Sequence, residues 1–257
     1  MRILLEPERL KRLLSNTLLH TSGDKFLLKG VMGNFSEKGL LIKDSSLEIV
    51  AIQALYTKKF FLEFGVEGEE NVPIPSSLFE PLKIGFKEEK MEFFNDKSKL
   101  FFKTKLEDYD EPIPEQEQGT MPFKMLMTEL GIIPEKLNPE NPQVEGKGPM
   151  IQIQLKAEEL SGLPPADEYK FVCKDKKLSV TVPVKELGKY TKVFKPTKIE
   201  AIEDMEVSFD GSYFGAIANN IAGEVWVSII EDAMVVSQKT KDCCITYLLS
   251  SQSEEEA

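Results

Sequence analysis

The sequence predicts an α+β chain of two similar halves, each an antiparallel sheet interrupted by short helices, and three observations predict it. Short β-branched and aromatic runs recur about every ten residues, separated by Gly, Asn-Asp or charged breaks. A few segments with apolar residues at helical period interrupt these runs. A Pro- and Gly-rich stretch, 128–149, divides the chain near its middle, and the order of elements before it recurs after it.

In the first half the helix over 7–20 comes first. A 100° step gathers Leu10, Leu13, Leu14, Thr17 and Leu18 on one side and leaves Arg9, Arg12, Asn16 and His20 as a stripe on the other. Strands are expected at 26–31, 39–42, 48–55 and 59–66. A second helix of about two turns is expected at 76–84, with Ser76 as its cap, Gly85 as its stop and Pro81 as a weakness inside it. Strands at 91–94, 99–105 and 120–127 complete a meander. The stretch 128–149 holds four Pro and three Gly without periodicity, which makes it a connector between domains spanning 1–127 and 150–257.

After the connector, a strand at 150–155 leads into a short helix at 156–160. A hairpin of 169–173 with 177–182 turns around Asp175. Strands follow at 190–194 and 198–209. A helix over 211–222 turns Phe214, Ile217, Ala218 and Ile221 inward, and strands at 224–230, 233–238 and 243–249 close the chain before an acidic tail.

Composition narrows the chemistry. The 257 residues carry a net charge of −11 with one His, His20, so multi-His metal sites, Ser-His-Asp triads and two-His relays elsewhere in the chain are excluded. Cys173, Cys243 and Cys244 are odd in number and the last two are adjacent, which strains an intrachain disulfide. They point to a reducing compartment and read as small core residues. Met1 to Pro7 meets a Glu and a Pro before a signal-peptide apolar region forms, and no apolar run approaches the roughly 20 residues of a membrane helix. The expectation is a soluble intracellular protein, cytoplasmic, or nuclear in a eukaryote, with no membrane partner. The acidic clusters 67–70 and 107–111 lack any EF-hand, phosphate-loop or zinc spacing and read as solvated turns. No catalytic site, metal or cofactor is expected.

Acidity argues against nucleic acid until its distribution is considered. Residues 1–127 hold 18 Lys and Arg against 21 Asp and Glu, residues 128–257 hold 14 against 22, and all three arginines, Arg2, Arg9 and Arg12, fall in the first twelve positions. A locally basic face on an acidic body is consistent with these counts.

Five short segments stand in order along the chain: Leu10-Lys11-Arg12 in the first helix, Ser36-Glu37-Lys38-Gly39, Asp44-Ser45-Ser46, Leu130-Gly131-Ile132-Ile133-Pro134-Glu135 at the start of the connector, and Thr246-Tyr247-Leu248-Leu249 running into Glu254-Glu255-Glu256. Together they resemble the DNA sliding clamps of the proliferating cell nuclear antigen family. The chain departs from the family at Leu249-Ser250, in place of Ala-Pro, at Ala233, in place of Pro, at Glu158 and Glu159, in place of basic residues, and at Pro164-Pro165, which shorten the helix before them.

The resemblance implies two similar clamp domains, antiparallel sheets outside and short helices lining the inside of a trimeric ring of this or related subunits. Double-stranded DNA passes through, held topologically and without base readout. DNA polymerase and other replication and repair proteins are tethered as partners, and a separate clamp loader opens the ring. Arg9, Lys11, Arg12, His20 and Lys83 then face DNA. A partner peptide lies in a groove of Leu40, Leu130, Ile132, Ile133, Pro134, Ala233, Tyr247 and Leu248. The subunit interface pairs an edge carrying Met121, Phe123, Met125 and Met127 with one carrying Tyr190, Lys192 and Phe194. Lys185, Lys189, Lys192, Lys195 and Lys198 mark that second edge. They read without the resemblance as edge-protecting lysines. The other readings are a two-domain interaction scaffold, a diverged damage-response clamp subunit without its own sliding role, and a carboxylate enzyme.

Overall fold

The computed structural model describes residues 1–21, 23, 25–46, 50–79, 82, 91–96, 99–103, 108–112, 138–144, 150–184, 188–196, 198–201, 204–230 and 233–252. The expected strand at 120–127, residues 80, 81, 83 and 84 of the expected helix at 76–84 and both ends of the connector lie outside the described residues.

The first half runs β1 (Arg2–Leu5), α1 (Pro7–Leu18), β2 (Gly30–Ser36), β3 (Gly39–Ser46), β4 (Val50–Thr57), a 3₁₀ turn (Lys58–Phe60), β5 (Glu63–Gly65), β6 (Glu70–Pro75), a second 3₁₀ turn (Ser76–Phe79), β7 (Met91–Asp96), β8 (Lys99–Lys103) and β9 (Asp108–Pro112). The second half runs β10 (Met150–Lys156), α2 (Ala157–Ser161), β11 (Glu168–Lys174), β12 (Lys177–Val184), β13 (Gly188–Val193), β14 (Lys198–Ala201), β15 (Met205–Asp210), α3 (Gly211–Asn220), β16 (Glu224–Ile230), β17 (Ala233–Lys239) and β18 (Cys243–Ser250).

The pairing order repeats between the halves. One sheet is β5-β1-β7-β8-β9, and its counterpart is β14-β10-β16-β17-β18. The other sheet of the first half, β4-β3-β2-β6, matches β13-β12-β11-β15. The two halves fuse where β18 pairs antiparallel with β4, from Cys243 opposite Tyr56 to Leu249 opposite Val50, so nine strands form one continuous sheet.

Local chemistry explains the elements. Pro7 opens α1, where its missing N–H has no intrahelical acceptor to lose. Leu10, Leu13, Leu14 and Leu18 are buried, and the Thr17 hydroxyl donates to the Leu13 carbonyl at 2.7 Å. The helix ends at Leu18 rather than at residue 20, because Leu19 takes a left-handed φ of 55° and buries its side chain completely. That conformation costs a non-glycine residue about 1–2 kcal/mol, and the apolar area buried at Leu19 offsets it. His20 then leaves the helix and bridges to Phe26, so the expected strand at 26–31 begins only at Gly30.

Gly39, at the turn from β2 to β3, has φ 130°, and a Cβ there would meet the Tyr56 carbonyl oxygen at 2.1 Å. Asp175 and Lys176 both have positive φ and make the two-residue turn between β11 and β12 that the sequence places around Asp175. The expected strand at 198–209 is two strands, β14 and β15, in different sheets. In α3, Asp210 caps the helix by accepting from the Ser212 and Tyr213 N–H groups, and Phe214, Ile217, Ala218 and Ile221 are buried as expected.

Candidate nucleic-acid and partner interfaces

The helices share one side of the sheets. α1 packs against the Ser76–Phe79 turn and against α3, and α2 packs against α3. The Asn220 side chain of α3 ties this layer together, its Nδ2 donating to the Ala216 carbonyl at 2.8 Å and across to the His20 carbonyl at 2.9 Å. Beside α3 lies a trough of about 600 Å³ lined by Thr21, Lys25, Ser161, Ser212, Gly215 and Asn219 among others. α3 contributes no charged side chain to this side. α2 contributes Glu158, which is exposed, and Glu159, which pairs with Lys192 Nζ at 2.9 Å. Both glutamates stand in the first turn of α2, where a carboxylate is favoured by the helix dipole.

The cations expected to face DNA divide by environment. Lys11 is exposed on α1. Arg9 donates from Nη1 to the carbonyls of Lys59 at 3.1 Å and Phe60 at 2.6 Å, and from Nε to Glu6 at 2.9 Å. Arg12 pairs with Asp242 at 3.0 Å, a bond between the two halves of the chain. Both guanidinium carbons lie over the buried Phe60 ring, at 6.0 and 5.0 Å from its centroid. The arginines therefore fasten α1 to the loops at one end of the β4–β18 junction while keeping part of their surface open. His20 is half-buried, its imidazole 4.8 Å from Phe26 and 5.0 Å from Phe79. Lys83 lies outside the described residues.

On the opposite side, β4, β17 and β18 are buried on both faces, whereas an antiparallel sheet commonly leaves one face to water. Part of the connector lies against this outer face. Lys239 Nζ donates to the Glu140 carbonyl at 2.6 Å, and Pro142 and Val144 are buried. Strand alternation sorts the expected groove residues. Ala233 and Leu248 are buried and stand outside the main core cluster, on the outer face with Ala51, Val235 and Cys244. Tyr247 points the other way, fully buried, its hydroxyl donating to the Asn16 carbonyl of α1 at 3.1 Å. Burial raises its phenol, so that hydroxyl stays protonated as a donor. Leu40 is also turned inward and lines a small apolar cavity of about 30 Å³ with Leu10, Leu13, Phe35 and Ile74. Tyr247 and Leu40 are therefore core residues. The outward positions next to Leu40 are Leu41 and Lys43. Leu130, Ile132, Ile133 and Pro134 lie outside the described residues.

The cysteines are buried and unpaired: Cys173 and Cys243 belong to the core, and Cys244 lies on the outer face. Burial pushes the Cys244 thiol up to about 11 from 9.0. A thiol raised on folding ionises first in the unfolded chain, so it lowers stability as pH rises from about 9 towards 11 and is neutral in effect below that window. Native protein at pH 8 is expected to leave all three thiols unmodified by a chromogenic disulfide reagent, and denaturant to release all three. Modification of one thiol without denaturant would show that its cover opens.

The edge strand β13 is exposed along nearly its whole length. Tyr190 is 40% exposed, and Val193, which nothing in the sequence marks as a surface residue, is 56% exposed. Lys192 crosses to α2, donating to the Glu159 carbonyl as well as its carboxylate. Phe194 departs from the expected interface. It is 4% exposed and stacks on Phe171, 6.1 Å between centroids at 6°. The chain turns inward after Val193, which explains the change: Phe194 N–H donates to the Leu178 carbonyl at 3.0 Å. At the far end of the first half, β9 closes its sheet with an acidic sequence, Asp108-Tyr109-Asp110-Glu111-Pro112. Met121, Phe123, Met125 and Met127 lie outside the described residues. Among the described residues no group of three or more His, Cys, Asp or Glu side chains is placed to hold a metal ion, and no helix is long and apolar enough to cross a membrane.

No protein-family model matches the sequence, and no curated protein sequence matches it. The structure is similar over nearly its whole length to solved proliferating cell nuclear antigens. A chain of the PCNA2–PCNA3 complex of Sulfolobus tokodaii superposes with a TM-score of 0.70 at 14% identity, covering 99% of this chain and 100% of that one. The protein of Entamoeba histolytica gives 0.68 at 14%, covering 98% of each. The A. fulgidus protein, solved with the C-terminal region of FEN-1 bound, gives 0.72 at 12%, covering 99% of each. At these identities the likeness is one of fold: the chain has the α+β fold of the sliding clamps.

Proposed function

We propose that this chain is one subunit of a three-membered ring that encircles duplex DNA and tethers a DNA polymerase and other replication and repair proteins, with a separate loader opening the ring. The observation that carries this reading is the pair of strand edges left over. Within the chain, β18, the last strand of one sheet type, pairs with β4, the last strand of the other. Among the described residues, β9 and β13 are the same two edges, each without an outer partner. Repeating the internal junction between copies joins β9 of one subunit to β13 of the next. A head-to-tail contact of this kind makes a ring if its rotation closes.

The charges support the pairing, since β9 is acidic and Lys189, Lys192 and Lys195 lie on or next to β13. They support the DNA role in the same way. Net charge −11 makes the body as a whole repel phosphates, while Lys11 and the exposed part of Arg12 stand on the helical side. Weak contacts without base readout let a duplex slide, and retention then comes from topology rather than affinity. The outer face, where Asn138–Val144 lies against β17 and β18, is the surface for partner peptides. The FEN-1 segment bound to the A. fulgidus protein supports a partner-binding role.

Native mass spectrometry tests the ring. The purified chain is expected near three times 29.1 kDa. The S. tokodaii complex of two different subunits favours a second form of the same reading, in which related chains fill the other positions. A monomer that no related chain from the same source converts to a trimer would overturn both forms.

A further inference from the structure

Two loops meet at one end of the β4–β18 junction, the 3₁₀ turn Lys58–Phe60 and the turn 240–242 between β17 and β18. They are bonded to each other, Thr57 donating to the Asp242 carbonyl from its N–H at 2.9 Å and from its hydroxyl at 3.2 Å. The two arginines of α1 fix both loops from beneath. Arg9 takes two carbonyls of the turn and the Glu6 carboxylate, and Arg12 takes the Asp242 carboxylate. Burial tends to raise Asp242, but its bond from the Thr240 hydroxyl and the Arg12 charge hold it below the ordinary carboxylate range, so it is ionised and engaged. The Lys59 and Phe60 carbonyls and one oxygen of the Asp242 carboxylate are thus occupied by guanidinium groups. Lys58, Lys59 and Lys241 are exposed on the two adjoining loops.

We propose that Lys58, Lys59 and Lys241 form a phosphate-binding patch at the rim of the helical side, which takes the sugar–phosphate backbone of the duplex where it leaves the ring. This rests on the ring reading above and adds to it a site on the loops. Three features point to a nucleic-acid backbone. The amines are hydrated point charges on long stems, which suit a repeating anion that moves past and do not lock onto one group as a planar fork does. The helices of the second half offer no competing attraction, since α3 is uncharged and α2 presents Glu158, so the lysines of the two loops add to Lys11 and Arg12 of α1. The loops carrying the lysines are clamped by the bonds described above, so the patch is placed by the fold.

The test uses the full chain with Lys58→Gln, Lys59→Gln and Lys241→Gln combined, and a short duplex of arbitrary sequence as probe. Wild-type affinity is expected to fall between about 50 and 200 mM salt. In the triple variant the slope of log K against log salt should flatten by about 0.9 for each phosphate that is no longer neutralised, up to about 2.7 per engaged subunit. Native mass and urea midpoint should be unchanged, because the three side chains are exposed. A slope equal to wild type, with the trimer and duplex binding intact, overturns the patch and leaves the ring standing. A wild-type chain without salt-dependent duplex binding overturns both. An unchanged duplex slope with loss of binding to a Glu-rich peptide assigns the lysines to an acidic protein and also overturns the proposal.

Discussion

Tyr247→Ala is expected to lower the stability of the folded chain by about 3–5 kcal/mol, the range for truncating a large buried aromatic side chain, seen as a lower urea midpoint with an unchanged m-value. Tyr247 is fully buried at the seam between the halves. Its ring occupies the core beside α1, and its hydroxyl satisfies the Asn16 carbonyl at 3.1 Å across the junction. Truncation opens a cavity where β18 meets the first half and strands a buried carbonyl. Tyr247→Phe keeps the volume and loses only the bond, at about 1–3 kcal/mol for the carbonyl left unpaired. The alternative from sequence, in which Tyr247 lines an outer groove, predicts the opposite pattern: little change in stability and failed peptide binding for Ala. An unchanged midpoint for Tyr247→Ala would restore that alternative.

This residue also shows how far the sequence could be read. The run 243–249 is plainly a strand, and a period of two says that Tyr247 and Leu248 face opposite ways. Which of them faces the core is a property of the sheet, because both are apolar and the strand is buried on both faces. On β3 the orientation is legible, since Lys43 marks the outward parity and leaves Leu40 and Ile42 on the inner one. The helix α1 is legible in its buried side, Leu10 to Leu18, because a half-buried helix writes its orientation into the period. Its end is not, since Leu19 carries no glycine or asparagine signal for a left-handed residue.

Strands β1, β6 and β9 are hidden in the sequence for separate reasons. β1 is four residues long, β6 contains Pro73 and Pro75, tolerated because it is an edge strand, and β9 is mostly acidic. The basic stripe is legible, but Arg9 and Arg12 are bound to partners distant in sequence, Phe60 and Asp242, which no local pattern reveals. The repeat of the two halves is legible from element order alone, although hardly any residue identity accompanies it.

The double substitution Tyr190→Glu and Val193→Glu is expected to convert the proposed ring to monomers at micromolar concentration while leaving the fold intact. The two side chains are the large apolar groups β13 exposes, at 40% and 56%. Val193 is opposite Ser179 on the face turned away from the core, and Tyr190, opposite the buried Val182, keeps 40% of its surface exposed. Exposed substitutions of this kind usually shift stability by no more than about 0.5 kcal/mol. At an interface the same change acts twice. It removes the apolar cover of the joined strands, and it sets two carboxylates against β9, whose Asp108, Asp110 and Glu111 are already acidic, a like-charge juxtaposition costing several kcal/mol. Lys189→Glu alone should act in the same direction more weakly, and should do so less at high salt, since a rim charge is screened. Monomeric variants should still bind partner peptides on the outer face, because that face is built within one chain by β4, β17 and β18. They should lose retention on closed circular DNA, which needs a closed ring. A native mass still near three times that of the chain would place the subunit interface elsewhere, and a monomer with a lowered urea midpoint would mean that β13 is needed for folding.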